Sequence, residues 1–425
     1  MRDQSPIERT VRATLHARAA LLAGFTTCRD LGTEALGTAD AALRDCVNRG
    51  LIPGPRLFVA TEAIASSGGY QLRSENRLAV PPRGGSGRGG GGGGGGLPRA
   101  ADVADGVEGV RAAVRRRVGD GADVVKVYAD YRRRVMRFPP DVEGPGGRVL
   151  FPPDRRERNP AVVLFSREEM EALVEEARLA DVPVAAHAGE ARTALMAVKA
   201  GVTSVEHVFE DREECVEELV EEMVKRETVW VPTLATAEES FGRDKFNRCK
   251  ERAKMAFDKG VRLAAGGDTG VFNHGLNARE MEIMMEAGIP VEEVLVAGTY
   301  AGWLACGGDA CGFRFGWWDE GNRADVVALN ADPREDRKAL RKVGFVMKDG
   351  RVWKRDGLPV GMIPPTQWSE EADDLAEQPA PRSGHSTSLT ADAAPFIPAL
   401  PGCTARPSGN PTSSELSWET DSFGV

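Results

Sequence analysis

Residues Val182–Val208 read VPVAAHAGEARTALMAVKAGVTSVEHV, and this stretch decides the fold. VPVAAHA is an apolar run of strand length. ARTALMAVKA follows as an amphipathic helical segment and stops on Gly201, a residue that readily takes the left-handed backbone closing a helix. TSVEHV is a second, β-branched strand. A strand, a helical crossover and a second strand make a parallel pair. Strands that read as nearly continuous apolar runs have both faces covered.

The theme extends in both directions. Further strands are expected at Gly24–Asp30, Leu57–Thr61, Asp123–Tyr128, Val229–Leu234 and Val261–Asp268, alternating with helices such as Val107–Val118, Arg167–Ala180 and Glu214–Lys225. The expected class is α/β, a TIM-like (β/α) barrel. A closed barrel takes eight strands and about 250 residues. One strand fewer is found, and the deficit lies at the front, where helix Val11–Ala23 leads straight into the first visible strand. The expectation is a barrel over residues 1–315 that lacks its first strand.

Other segments break the pattern. GGSGRGGGGGGGG at 84–96 is a flexible low-complexity insert without the Gly-Lys-Ser/Thr ending of a phosphate loop, which argues against nucleotide binding. Residues 132–160 form a long loop rich in Pro, Gly and Arg after the strand holding Lys126, either a lid over the barrel rim or a disordered insertion. Arg323–Asp332 and Val343–Trp353 read as strands with a two-residue turn at Asp349–Gly350. They follow the barrel, so residues 316–358 are expected to form a small partial β-sandwich at the C-terminal end. Residues 365–425, rich in Ser, Thr, Pro and Gly, are expected to be a disordered tail.

Composition narrows the function. A net charge of −9 speaks against a nucleic-acid partner, and no apolar run is long enough to span a bilayer, so no membrane partner is expected. Seven cysteines without CxxC spacing suit a reducing compartment. MRDQSPIERT is neither a signal peptide nor a presequence, which gives a cytoplasmic expectation.

Four polar residues fall where a barrel places its chemistry, at the C-terminal ends of strands: Lys126, His187, His207 and Asp268. Positions 187 and 207 lie one βα unit apart, so neighbouring strands deliver two imidazoles side by side, a donor set suited to a divalent cation such as zinc. A lysine buried beside such ligands has a lowered pKa, and its neutral amine can add carbon dioxide to become an anionic, bridging carbamate. Asp268 would take a proton from the attacking water and pass it to the leaving amine. Taken singly, each has a bland explanation: a hydrogen-bonded structural histidine, a snorkelling lysine, a helix-capping aspartate. Their occurrence together, in order, is what singles them out. Tyr128 shares the face of Lys126. His274, in the loop after Asp268, and Tyr70, in SSGGY, are candidate substrate contacts; His16 and His385 read as incidental.

From about Leu15 to Lys354 the chain resembles the amidohydrolase superfamily, in particular its imidazolonepropionase-like and prolidase-like branch. LLAGFTTCRDLG (Leu21–Gly32) looks like the branch's second barrel strand, and GLIPGPRLFVA (Gly50–Ala60) like the approach to its third. GADVVKVY resembles the strand of the carboxylated lysine, here Lys126, and the segment quoted first resembles the paired-histidine segment that gives His187 and His207. GGDTG resembles the catalytic-aspartate strand, giving Asp268, while GNRADVVALNADP and VMKDGRVW echo the closing β-sandwich. In the family a His-x-His pair on the first strand binds a first metal. No such pair occurs among the five histidines here. The resemblance therefore implies an N-terminal truncation of the barrel and a site with one or two divalent ions.

The resemblance implies hydrolysis of a carbon–nitrogen bond in a small amide or dipeptide-like substrate by a metal-activated water, in a protein that can assemble as a homo-oligomer. An inactive remnant or binding module is the alternative, and a related barrel cleaving esters or lactones would use the same site.

Overall fold

Helix formation follows local signals along the chain. In α4 (Arg167–Leu179) Ser166 accepts from the Glu169 amide while the Glu169 carboxylate accepts from the Ser166 amide, a reciprocal cap. Met170, Leu173 and Ala177 then recur on one buried face. α5 (Ala191–Ala200) closes on Gly201 at φ 97°, the left-handed stop expected of it. The computed structural model describes residues 4–70, 100–132, 143–144, 148–149, 161–209 and 215–362. The glycine-rich insert, most of the 132–160 loop and the 365–425 tail lie outside the described residues.

The elements run α1 (Pro6–Leu22), β1 (Thr27–Asp30), α2 (Ala39–Asn48), β2 (Arg56–Val59), β3 (Ala63–Ala65), β4 (Ala101–Val103), α3 (Gly106–Gly119) and β5 (Val125–Tyr128). β6 (Asp130–Arg132), β7 (Glu143–Gly144), β8 (Arg148–Val149) and β9 (Ala161–Val163) precede α4, and β10 (Val184–Ala188), α5, β11 (Ser204–His207), α6 (Val216–Arg226) and β12 (Val229–Val231) follow it. Next come α7 (Leu234–Ser240), α8 (Arg243–Asp258), α9 (Ala278–Glu286), α10 (Val291–Ala297), α11 (Tyr300–Ala305) and strands β13 (Val326–Leu329), β14 (Val343–Lys348), β15 (Arg351–Arg355) and β16 (Leu358–Pro359).

One parallel sheet has the order β12-β11-β10-β5-β3-β4, and β1 pairs in parallel with β2. The expected strand Leu57–Thr61 is β2, which ends at Val59; Thr61 turns to φ 58°, and a further strand, β3, begins two residues later. The two strands stay continuous with β5, because the Val59 carbonyl accepts the Asp123 and Val124 amides and Ile64 pairs with Val127. β3 and β4 were not anticipated; three-residue strands carry too little periodicity to be seen in sequence. Helices and sheet share one core, which includes Ile64, Val127, Met170, Leu173, Val205, Leu234 and Met284.

One expectation is corrected. Val261–Asp268 is not a regular strand; Leu263 forms a single parallel bridge to Trp230. Its glycines explain why: a Cβ at Gly266 would lie 2.6 Å from a Val231 methyl and one at Gly267 2.7 Å from the Phe272 ring, so close packing displaces the ladder. Where the partial β-sandwich is expected, the described residues form one antiparallel sheet, order β13-β14-β15-β16. Its turn is as read, with Asp349 at φ 52° and Gly350 at φ 77°. Leu21 of α1 packs on Val343, Val346 and Trp353 of this sheet. Arg56 ties it to β2 through Asp325 and Asp349.

Candidate metal centre

Strand register brings the first groups together. β10 pairs with β5 so that Ala185 lies beside Lys126 and His187 beside Tyr128, and with β11 so that His187 lies beside Glu206. In a parallel sheet such neighbours share a face, so Lys126, Tyr128, His187 and Glu206 project from one side. Alternation would then send His207 to the other side. It does not go there: His207 adopts φ 81° and Val208 φ 65°, and the ring of His207 meets that of His187 edge to face at 4.6 Å between centroids. Left-handed backbone at a non-glycine residue is rare and collects at functional sites. Trp230 holds the kink by donating its indole N–H to the His207 carbonyl at 3.0 Å.

Lys126, His187 and His207 are 4%, 8% and 5% exposed. Burial lowers the Lys126 pKa to about 8, with the Glu206 and Asp268 carboxylates opposing the shift and Arg29 adding to it. Burial also drops His187 to about 3, helped by Lys126, and moves His207 well below its ordinary range. Both imidazoles are therefore neutral near pH 7, the form that ligates a metal. Asp268, at φ 57°, still meets solvent. Partial dehydration pushes its pKa up to about 6, Lys126 opposing and the Glu34 and Glu206 carboxylates assisting.

Several polar groups here escaped the sequence reading. Glu206 forms a buried ion pair with Arg29 at 2.8 Å and accepts from the Ser204 hydroxyl at 2.6 Å. Strand parity counted back from His187 across the register would have found Glu206. Asp130 accepts from the Gly189 and Glu190 amides and approaches His187 Nε2 at 3.7 Å. Asp30, at the end of β1, has a pKa raised to about 7 by burial, with the Asp40 carboxylate adding to the shift. Tyr70 donates to Glu34 at 2.5 Å and packs on Tyr128 at 4.8 Å and Tyr131 at 5.3 Å; Tyr128 in turn lies 4.9 Å from His187. His274 stacks on His16 of α1, with centroids 4.0 Å apart and planes within 9°.

The donor set suits a cation. His207 Nδ1 is engaged by Thr233 Oγ1 at 2.9 Å, which leaves Nε2 for a ligand, and His187 Nδ1 is buried without a hydrogen-bond partner. A buried polar nitrogen left unpaired is unusual and asks for an explanation such as an ion. Among the described residues no three His, Cys, Asp or Glu side chains by themselves form a metal-holding group. Lys126 is not of those types, and as an amine or its carbamate it would complete the set.

Comparison with known proteins gives the family. The chain is 31% identical to an ochratoxinase of Aspergillus niger over 380 residues, spanning 83% of this chain and 69% of that protein. The chain belongs to the amidohydrolase family. The family model matches residues 156–353, the part that carries His187, His207 and Asp268. The crystal structure of the A. niger ochratoxinase superposes with a TM-score of 0.64 at 29% identity, covering 83% of this chain and 78% of that one. A Xaa-Pro dipeptidase crystallised with bound methionine gives 0.61 at 29%, covering 81% and 79%. As an amidohydrolase the protein is an amide-bond hydrolase with an α/β fold built on parallel strands. No helix among the described residues is long and apolar enough to cross a membrane.

Proposed function

We propose that the protein hydrolyses carbon–nitrogen bonds of small amide or dipeptide-like substrates, on a TIM-like barrel spanning roughly the first 315 residues. The observation that carries the reading is the pair of buried, neutral imidazoles, one with a partnerless nitrogen, beside a desolvated lysine. The relatives' names agree in kind, an ochratoxinase and a Xaa-Pro dipeptidase. His187 through Nδ1, His207 through Nε2, Asp268 and Lys126 would hold a divalent cation, for which zinc suits the nitrogen donors. Such a cation polarises a scissile carbonyl and makes water acidic enough to be a nucleophile near neutral pH.

The chain's own residues supply the rest. Lys126, with a pKa near 8, presents enough neutral amine to add carbon dioxide and release a proton, giving a carbamate anion. Asp268 accepts the proton of the attacking water and delivers it to the departing nitrogen. Tyr70 and Tyr128 form an aromatic wall beside His187 that would face the substrate. A second reading, a binding module that holds a cation without turnover, draws on the absence of a His-x-His pair from the sequence.

One preparation tests both readings. Zinc bound by the purified chain is measured by elemental analysis, and release of amino acid from a panel of N-acyl amino acids and Xaa-Pro dipeptides is followed. Bound zinc with turnover supports the enzyme, and bound zinc without turnover supports the module. A protein that takes up no zinc sinks the site assignment.

A further inference from the structure

His207 can carry its proton on either ring nitrogen, and only one choice leaves Nε2 with a free lone pair. Thr233 decides between them. It follows β12 and sits at φ 52°, a left-handed conformation that is a genuine outlier for a β-branched residue. That conformation puts Oγ1 at 2.9 Å from His207 Nδ1 and 2.8 Å from the Pro232 carbonyl. A hydroxyl has one proton to give. The Pro232 carbonyl can only accept, so the Thr233 proton goes there. The oxygen lone pair then accepts from His207, which must carry its proton on Nδ1.

The surroundings fix this arrangement. Glu280 accepts from the Leu234 amide at 3.0 Å and the Ala235 amide at 2.7 Å, so the segment just after Thr233 cannot drift. On the other side Val208 donates its amide to the Ala188 carbonyl at 2.9 Å, and Arg252 donates to the Val208 carbonyl at 2.8 Å. Three strained non-glycine residues, His207, Val208 and Thr233, are thereby held in register. Strain of this kind persists only where the surroundings over-determine it.

We infer that Thr233 is a positioning residue whose hydroxyl, relaying from the His207 Nδ1–H to the Pro232 carbonyl, locks His207 in the tautomer that turns an unprotonated Nε2 into the site. The relay itself is independent of any ion; its purpose rests on the metal-centre reading. Fixing the tautomer of a metal-binding histidine in this way typically contributes about 10- to 100-fold in metal affinity.

The experiment uses chelator-treated full-length protein, labelled with nitrogen-15 at histidine and held at one pH near 7. Long-range proton–nitrogen spectra report which ring nitrogen of His207 is protonated, its signals being assigned by their loss in His207→Asn. Wild type and Thr233→Ser are expected to show Nδ1–H alone, and Thr233→Val a mixture or the Nε2–H form. Thr233→Ala replaces valine should the larger side chain disturb folding, as judged by circular dichroism. Zinc affinity, measured by competition with a chromophoric chelator, is expected to fall about 10- to 100-fold in Thr233→Val and to recover in Thr233→Ser. A folded hydroxyl-free variant that keeps Nδ1–H alone overturns the inference, and so does a serine variant that loses it. If wild type shows the locked tautomer but takes up no zinc, the relay stands and the metal-centre reading falls.

Discussion

His187 and His207 present their rings to each other edge to face, 4.6 Å between centroids, although strand alternation should place them on opposite sides of the sheet. The left-handed backbone at His207 is what reunites them. Each ring then has one nitrogen available, Nδ1 of His187 and Nε2 of His207. Replacing His187 by Asn is expected to reduce bound zinc at least tenfold while leaving the fold intact, since the ring makes no hydrogen bond through Nδ1 that folding would miss. Elemental analysis beside a thermal melt checks both halves. Undiminished zinc in a folded His187→Asn protein would remove His187 from the site.

Asp268 lies at the solvent edge of the same group, with its pKa raised to about 6. That suits a residue that takes a proton and returns it, since transfer is most effective when the pKa lies near working pH. Asp268→Asn keeps the shape and removes the base. The expected result is a fall in kcat of about 10²- to 10⁴-fold with KM changed little. Steady-state kinetics on the best substrate of the amide panel provide the measurement. A variant retaining most of its kcat would assign the proton transfer to another group.

The stacked pair His16–His274 makes a stability prediction that does not involve the metal centre. Burial lowers the His274 pKa to about 4, with His16 adding to the shift, and His16 is lowered by burial and by Arg12. Folded values below the unfolded value of about 6.5 mean that the unfolded chain binds protons first as pH falls. The contribution is fully present above about pH 6.5, declines as pH drops and is gone below about pH 4. Urea denaturation of wild type and His274→Phe between pH 7.5 and 4 tests it, because phenylalanine keeps a stacking ring that cannot charge. Wild type is expected to lose stability across this window faster than the variant. Parallel curves would show that the stack carries no pH dependence.

The parts of this architecture that were legible in sequence are those set by local pattern. α5 was read to the residue because apolar spacing and Gly201 both mark it, and β10 and β11 to within about two residues because each is a short apolar run. Lys126, His187 and His207 stand out in sequence because a polar residue interrupting an apolar strand is conspicuous. What stayed hidden depends on contacts far apart in the chain. The strand expected at Val261–Asp268 reduces to one bridge because Val231 and Phe272 crowd its glycines. Thr233 reads as part of the strand expected at Val229–Leu234, but β12 ends at Val231 and a φ of 52° brings Thr233 to His207, while the pairing of His16 with His274 joins α1 to a loop some 260 positions later. Glu206 was overlooked because its neighbour His207 drew the reading, although register assigns the interior face to Glu206.

That glutamate supports the last prediction. Glu206 pairs with Arg29 at 2.8 Å, their side chains 2% and 10% exposed, and Arg29 also donates to Ser204 and to the Ala305 carbonyl. The pair spans β1 and β11, strands that share no ladder among the described residues. Arg29→Met leaves a buried carboxylate without its counter-charge, which typically destabilises by about 3–5 kcal/mol. Replacing both members by methionine removes the stranded charge, so the double variant should be less destabilised than the sum of the two single changes, and by more than about 1 kcal/mol. Chemical denaturation of the four proteins yields the coupling. Simple additivity would mean that the pair does not join β1 to β11 energetically, and that the 2.8 Å approach is only a consequence of packing set elsewhere in the core.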